Sequence, residues 1–472
     1  MRRLILLFVL GTATACVGAK PAVKAPKVVQ VPFDPPVAQE PESFVGELPG
    51  ASAILITNAT LLTARDAQPR INGGWIRLDA GRITGLGDGT PPPANGARVV
   101  DAAGRFVTPG FIDTHSHLGV YPTPHVWAHG DGNEMTNPIT AGVRAEEAFW
   151  PQDPGIQRAV AGGVTTIQVL PGSGNLMGGR GVVLKLHPRR SARAMRFPGA
   201  KDSLKMACGE NPKRVYGKHR RSMPMSRMGN IFMMRKTWVK ARRYKHDWDT
   251  WRANPEKLEK GAIVKVKPPK RDLVMETLAR VLDGEILVHI HCYRADEMLL
   301  QLKLAQEFGF RVRSFHHAVE AYKIRDVLAR EGVAVSTWAD WWGFKIEAYD
   351  AIEQNLALLA ESSARAVLHT DSAEGIQRMN QEAAKAYWAG QHAGLKLNEH
   401  QALKWITMNP AWALGIEDQT GSLAEGKMAD VVVWDRNPMS VYASADLVFV
   451  DGHLRHDRQG DGATWSDFEV GQ

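Results

Sequence analysis

Eight short apolar runs, spaced between residues 107 and 370, constrain this chain more than any other feature. They cover residues 107–118, 164–170, 181–186, 203–208, 286–292, 312–317, 333–336 and 366–370. Each has the length of a buried strand, and helical patterns follow several of them. After the fifth, for example, Met298, Leu302, Ala305 and Phe308 recur at helical spacing. Strands alternating with helices make a parallel sheet covered by helices, and eight such units close into a (β/α)8 barrel. The site of such a barrel lies at the C-terminal ends of its strands. The polar residues that end the runs are therefore the informative ones.

The first run ends in His115 and His117. Residues two apart on a strand face the same side, so both rings project together. Two neutral imidazoles aimed at one point are half of a metal site. The fifth run ends in His289 and His291, the sixth in His316 and His317, and the eighth in Asp371. A lone histidine is more often a satisfied core residue than a ligand. Histidine-bearing strand ends joined by an acid at one rim point to metal binding instead. The fourth run carries Lys205 within apolar text. Burying a charged lysine is costly unless it is paired or modified. A lysine carbamylated by carbon dioxide presents an anionic oxygen pair able to bridge two metal ions.

The rest of the chain supplies a second domain and an address. Short, turn-bounded strands occur at 54–63, 74–78, 82–86 and 98–101, and again at 429–434 and 447–450. Both chain ends are thus expected to pair into one small β-sandwich beside the barrel. The 472 residues suit a barrel plus such an accessory domain. Residues 1–16 read as a lipoprotein-type signal peptide. Arg2 and Arg3 precede an apolar stretch, and Ala13-Thr14-Ala15-Cys16 resembles a lipobox. Cleavage before Cys16 and lipid on its sulfur would anchor the protein in the bacterial cell envelope, as a periplasmic or outer-membrane lipoprotein. A Pro/Ala-rich tether follows over 17–50. The expected order is then the N-terminal part of the sandwich (51–107), the barrel (108–406), and the last helix with the rest of the sandwich (407–472).

The net charge of +8 is concentrated between residues 185 and 245. No nucleic-acid module accompanies it, so it reads as a solvated basic face. Within the long interruption 209–271, residues 227–244 are expected to form a basic helix over the barrel mouth. Of three cysteines, Cys16 belongs to the leader. Cys208 and Cys292 are far apart in sequence and read as small core residues, not as a disulfide framework.

These motifs resemble the amidohydrolase superfamily, in its imidazolonepropionase-like branch, over residues 52–456. The first-strand motif is Pro-Gly-Phe-Ile-Asp-Thr-His-Ser-His at 109–117, and Gly-Val-Thr-Thr at 163–166 matches the second strand. Ser-Leu-Lys-Met-Ala-Cys-Gly at 203–209 is similar to the fourth strand of members with a bridging carboxylated lysine, which implies Lys205. Val-His-Ile-His-Cys-Tyr-Arg-Ala-Asp at 288–296 resembles the fifth strand and implies His291 rather than His289. His-Ala-Val-Glu at 317–320 implies His317 rather than His316, and Thr-Asp-Ser at 370–372 supplies Asp371. Gly-Ser-Leu-Ala-Glu-Gly-Lys-Met-Ala-Asp-Val-Val-Val at 421–433 matches the return to the sandwich. Cys292 and Tyr293 depart from the usual small residue and histidine, and Glu210 rivals Lys205 as the bridge.

The resemblance implies a metal-dependent hydrolase of C–N bonds acting on a non-peptide, dipeptide-like or cyclic amide. His115, His117, Lys205, His291, His317 and Asp371 would hold one or two divalent ions, zinc in the first place, with manganese or iron as alternatives. Asp371 would be the general base for a metal-activated water. A superfamily deaminase of nucleobase-like substrates, with Glu297 as its acid, and a non-catalytic envelope binding protein are the competing readings. Arg180, Arg294, Trp338, Asp340 and Lys345 are candidates for substrate contact. The small-molecule substrate and the lipid anchor are the expected partners, and a homo-oligomer is compatible with the chain.

Overall fold

The computed structural model describes residues 50–259 and 262–460. The expected leader, Cys16 and nearly all of the tether lie outside them. Five strands come first: β1 (Ile54–Leu62), β2 (Arg70–Asp79), β3 (Arg82–Gly87), β4 (Arg98–Asp101) and β5 (Phe106–Pro109). The barrel strands follow as β6 (Phe111–Ser116), β7 (Val164–Val169), β8 (Met177–Lys185) and β9 (Ser203–Ala207). After a small hairpin of β10 (Glu256–Glu259) and β11 (Ala262–Lys265) come β12 (Leu287–Cys292), β13 (Val312–His317), β14 (Ala334–Thr337) and β15 (Arg365–Leu368). The chain ends in β16 (Val431–Trp434), β17 (Ala445–Val450) and β18 (His453–Asp457).

Strands from the two ends of the chain share one sheet, ordered β18-β17-β16-β5-β1-β2-β3, with β4 also paired to β1. Its alternating inward residues, among them Ile56, Leu61, Ile76, Val107, Val433 and Phe449, form a core separate from that of the barrel. Pro109 and Gly110 carry the chain from this sheet into β6. A Cβ on Gly110 would stand 2.2 Å from the Thr165 hydroxyl, so only glycine allows this close passage. A buried ionic clasp joins the two bodies from the barrel side. Lys185 Nζ lies 2.9 Å from Asp430 Oδ1 and also reaches Asp451, and His187 Nε2 lies 2.8 Å from Asp451 Oδ2.

The eight expected barrel strands form a second, nearly closed sheet in the order β6-β7-β8-β9-β12-β13-β14-β15. One of them runs the wrong way for a strict (β/α)8 repeat. β8 pairs antiparallel with both β7 and β9, because a tight turn through Pro171, Gly172 and Gly174 replaces the crossover helix. Along the gap between β15 and β6 the two strands meet at the rim. Asp371 N–H donates to the His115 carbonyl at 3.1 Å, and Asp113 accepts from the Thr370 hydroxyl.

The basic helix spans Arg227–Ala253, begun by a Ser226 cap that accepts from Gly229 N–H. It does not cover the mouth as expected. Met234, Trp238 and Ala241 recur at helical spacing and are buried, and the Trp238 ring stacks 4.4 Å from that of Phe310. That apolar stripe holds the helix against the barrel flank, and only its first turn reaches the rim. There Arg227 Nε lies 2.8 Å from Glu297 Oε2 and the guanidinium also meets Glu347. Among the described residues no helix is long and apolar enough to cross a membrane.

Candidate metal centre and active site

The site is built at the C-terminal ends of the parallel strands. β6 and the residue that follows it present His115 and His117, β9 presents Lys205, β12 presents His291, and the segment after β15 presents Asp371. His317, the last residue of β13, has φ 67°, and Asp371 has φ 51°. A left-handed backbone is costly for such side chains and persists only where the surroundings enforce it. At β13 it has a direct effect. His316 and His317 are adjacent, and in a regular strand they would face opposite sides. The turn at His317 brings both rings to the interior, each within 5 Å of the His115 ring, at 4.9 and 4.7 Å.

Ligand atoms of His115, His117 and Asp371 lie within 4.8 Å of one another, as do those of His115, His317 and His369. His117 Nε2 is 3.3 Å from Asp371 Oδ1 and His115 Nε2 is 3.7 Å from it. Lys205 Nζ stands 3.3 Å from His115 Nε2. The His291 ring sits 4.4 Å from that of His317. His117 Nδ1 donates to the Leu170 carbonyl at 2.8 Å, which leaves Nε2 bare and turned to the centre. Nδ1 of His291, His317 and His369 are buried without hydrogen-bond partners. A group of uncharged imidazoles with unused nitrogen atoms beside a carboxylate fits a divalent cation.

Burial sets the protonation states. It pulls His117 down to about 3 and holds His115, His291, His317 and His369 well below the usual imidazole value, so their lone pairs are free for a metal. It lowers the Lys205 ammonium to about 8, against the opposing pull of Asp371. It raises the Asp371 carboxyl to about 7, against the charge of Lys205.

The substrate candidates separate clearly. Trp338 stacks on His317 with ring centroids 4.4 Å apart and donates through Nε1 to the Thr370 carbonyl, so it walls the site. Lys345 Nζ lies 3.9 Å over the Tyr293 ring, 3.6 Å from Glu210 Oε1 and 3.4 Å from Asn211 Oδ1. Asn211 in turn reaches His291 Nε2 at 3.3 Å, so Lys345 stands just outside the histidine cluster. Arg180 is elsewhere: it is buried and ion-paired with Asp202, which precedes β9 at the far end of the barrel. The reversal of β8 is the reason, since it runs its later residues away from the rim. Arg294 pairs with its neighbour Asp296 at the surface, and Asp340 pairs with Lys385. Glu210 faces Lys345 rather than His115, so Lys205 is the bridging candidate that stands among the histidines. Glu297 is tied to Arg227 on the helix Ala295–Phe308.

Three features escaped the sequence reading. Cys208 and Cys292 are not isolated core residues; they form a disulfide. They are distant in sequence, but β9 and β12 pair with His291 opposite Ala207, so the next residue of each strand is a cross-strand neighbour. His369 joins the cluster and accepts from the His317 backbone N–H at 3.3 Å. Its signal was its position two residues before Asp371. Asp113, fully buried in the first-strand motif, accepts from His115 N–H at 2.9 Å and braces that strand end.

Residues 258–455 match the Amidohydrolase family. An amidohydrolase of known structure from Thermotoga maritima is 34% identical, with 86% of this chain and 100% of that chain covered and a TM-score of 0.77. "Amidohydrolase tasK" of Hapsidospora irregularis is 32% identical over 436 residues. That match covers 86% of this chain and 44% of the relative, so the chain spans less than half of that relative's length. An imidazolonepropionase of Shewanella baltica is 55% identical over 40 residues, 8% of this chain and 10% of that protein. That likeness covers a short stretch of each chain.

Proposed function

The chain belongs to the amidohydrolase family, and on that premise we propose that it is a metal-dependent hydrolase of C–N bonds in small amides that carry a carboxylate. Dipeptide-like compounds and N-acyl amino acids are the first substrates to test, with cyclic amides next. The observation that carries this reading is the convergence of His115, His117 and Asp371 on one point, with Lys205 beside them. One or two divalent ions, zinc in the first place and manganese or iron otherwise, would be held by His115, His117, His291, His317 and Asp371, with carboxylated Lys205 as bridge. Such an ion supplies an activated water near neutral pH and polarises the amide carbonyl.

The protein's own groups do the rest. The Asp371 carboxylate, beside His115 and His117, stands where it would take a proton from water and pass it to the departing nitrogen. Burial of Lys205 favours the uncharged amine, the form that reacts with carbon dioxide. Trp338 and Tyr293 stack on His317 and wall the approach. Lys345 offers a cation at the mouth, at a reach suited to a substrate carboxylate.

We further read the chain as exported to the bacterial envelope and held there by lipid on Cys16. Its buried disulfide belongs to the bonds that persist in oxidising compartments, which supports that reading. Fractionation of cells producing the full chain, beside a Cys16→Ala variant, tests it; a soluble cytoplasmic product in both cases would overturn it.

The activity is tested by metal analysis and a panel of dipeptides, N-acyl amino acids and cyclic amides. We expect bound metal and hydrolysis of at least one class, with both reduced in Lys205→Ala and activity abolished in Asp371→Asn. Absence of stoichiometric metal, together with no hydrolysis after added zinc or manganese, would overturn it.

A further inference from the structure

Strands β12 and β13 each carry one histidine more than the proposed metal centre uses. His289 and His316 are fully buried in the barrel interior. They form a line with a ligand residue. His115 Nδ1 lies 3.0 Å from His316 Nδ1, and His316 Nε2 lies 2.8 Å from His289 Nδ1. The other nitrogen of His115, Nε2, faces Lys205 and Asp371. His289 Nε2, at the far end, is buried without a hydrogen-bond partner.

An N···N contact at hydrogen-bond distance needs one proton between the two atoms, so one ring donates and the other accepts. A neutral imidazole has one N–H. If His115 presents a bare Nε2 to a cation, its proton is on Nδ1 and is donated to His316. His316 Nδ1 must then be bare, its proton is on Nε2, and that proton is donated to His289 Nδ1. Of the two arrangements that satisfy both contacts with one proton per ring, only this one leaves His115 Nε2 bare. A ligating histidine whose second nitrogen is engaged has its tautomer and ring angle set by that partner.

We propose that His316 and His289 are positioning residues, a two-ring relay that holds His115 in the Nδ1–H tautomer with Nε2 directed at the metal. The inference rests on the reading of His115 as a ligand. It accounts for two buried histidines that stand outside the proposed ligand set. It also orders the pair: His316 acts directly on His115, and His289 acts on His316.

The test uses the full chain loaded with zinc, and with cobalt as a spectroscopic probe, in wild type, His316→Leu, His289→Leu and His316→Gln. Dissociation constants come from competition with a chelator, and melting of the metal-free proteins checks that each variant folds. We expect about 10- to 100-fold weaker zinc binding in His316→Leu, a smaller loss in His289→Leu, and an altered cobalt absorption spectrum in both. His316→Gln, whose amide accepts at one atom and donates at the other, is expected to recover much of the affinity and the wild-type spectrum. A merely structural role would give no such recovery and no graded order. Wild-type affinity and spectrum in His316→Leu would overturn the relay alone. If His316→Leu fails to fold, His289→Leu decides, and its wild-type affinity and spectrum would overturn the relay. A wild-type protein that binds neither ion would overturn the metal reading and the relay with it.

Discussion

Cys208 and Cys292 are bonded across β9 and β12 with their Cα atoms 5.2 Å apart, each one residue beyond Ala207 and His291. The bridge therefore ties together the strand ends that present Lys205 and His291. It closes a chain separation of 84 residues, which limits the unfolded ensemble by about 2–4 kcal/mol. The Cys208→Ala/Cys292→Ala double variant should melt at a lower temperature by that measure in calorimetry. It should also release metal faster to a chelator, since the two ligand strands lose their shared anchor. An unchanged melting temperature in the double variant would show that the bridge carries no load.

Lys345 is expected to act on binding rather than on chemistry, because it stands over Tyr293 and outside the histidine cluster. Lys345→Met should raise KM for carboxylate-bearing amides by about 10- to 100-fold, the size of a lost charge-assisted hydrogen bond, with kcat much less affected. Esterified or amidated forms of the same substrates should be nearly insensitive to the substitution. Equal losses on charged and neutral substrates would remove Lys345 from carboxylate recognition.

Asp371 makes metal binding depend on pH. Its carboxyl titrates near 7 in the folded protein against 3.8 ordinarily. Between those values the metal-free native state holds a proton that the unfolded chain has released. The contribution of Asp371 to the stability of the metal-free protein therefore falls as pH rises from about 4 to about 7 and carries no penalty below that window, whereas the buried histidines, kept neutral in the fold, contribute the opposite slope up to the ordinary imidazole value. A bound cation needs the carboxylate, so affinity rises over the same range. Melting with chelator and with zinc should show a gap that widens with pH, and in chelator the stability of wild type relative to Asp371→Asn should fall between about pH 4 and about pH 7.

The clasp between Lys185 and Asp430 should be costly to break from one side. Both side chains are buried, with 3% and 0% exposed. Lys185→Met leaves Asp430 as an uncompensated buried charge, a loss of about 3–5 kcal/mol. The variant should unfold at a markedly lower urea concentration. Because the clasp lies at the end of the barrel that meets the sheet, the metal affinity of the folded fraction should stay near that of wild type.

Much of this architecture was legible before any coordinates. Strands buried on both faces must be nearly continuous apolar text, and that is why all eight barrel strands stood out. The rim chemistry was legible for the same reason: His115, His117, Lys205, His291, His317 and Asp371 interrupt or end apolar runs. The reversal of β8 was not legible, since an apolar run carries no sign of its direction. That reversal is why Arg180, a substrate candidate by sequence, pairs with Asp202 away from the rim. The charges of the helix Arg227–Ala253 do not say where it lies; its buried Met234, Trp238 and Ala241 decide that.

The sequence by itself determined the eight barrel strands and the fold class, and pointed to most of the histidines and the acid at the rim, because each is a matter of local period and residue chemistry. Tertiary structure alone decided how those residues divide their roles. His316 and His317 are neighbours in the chain, and only the left-handed turn at His317 puts one ring at the centre and leaves the other beneath it against His115. Cys208 found Cys292 only through the register of β9 on β12, a long-range pairing that no local pattern encodes.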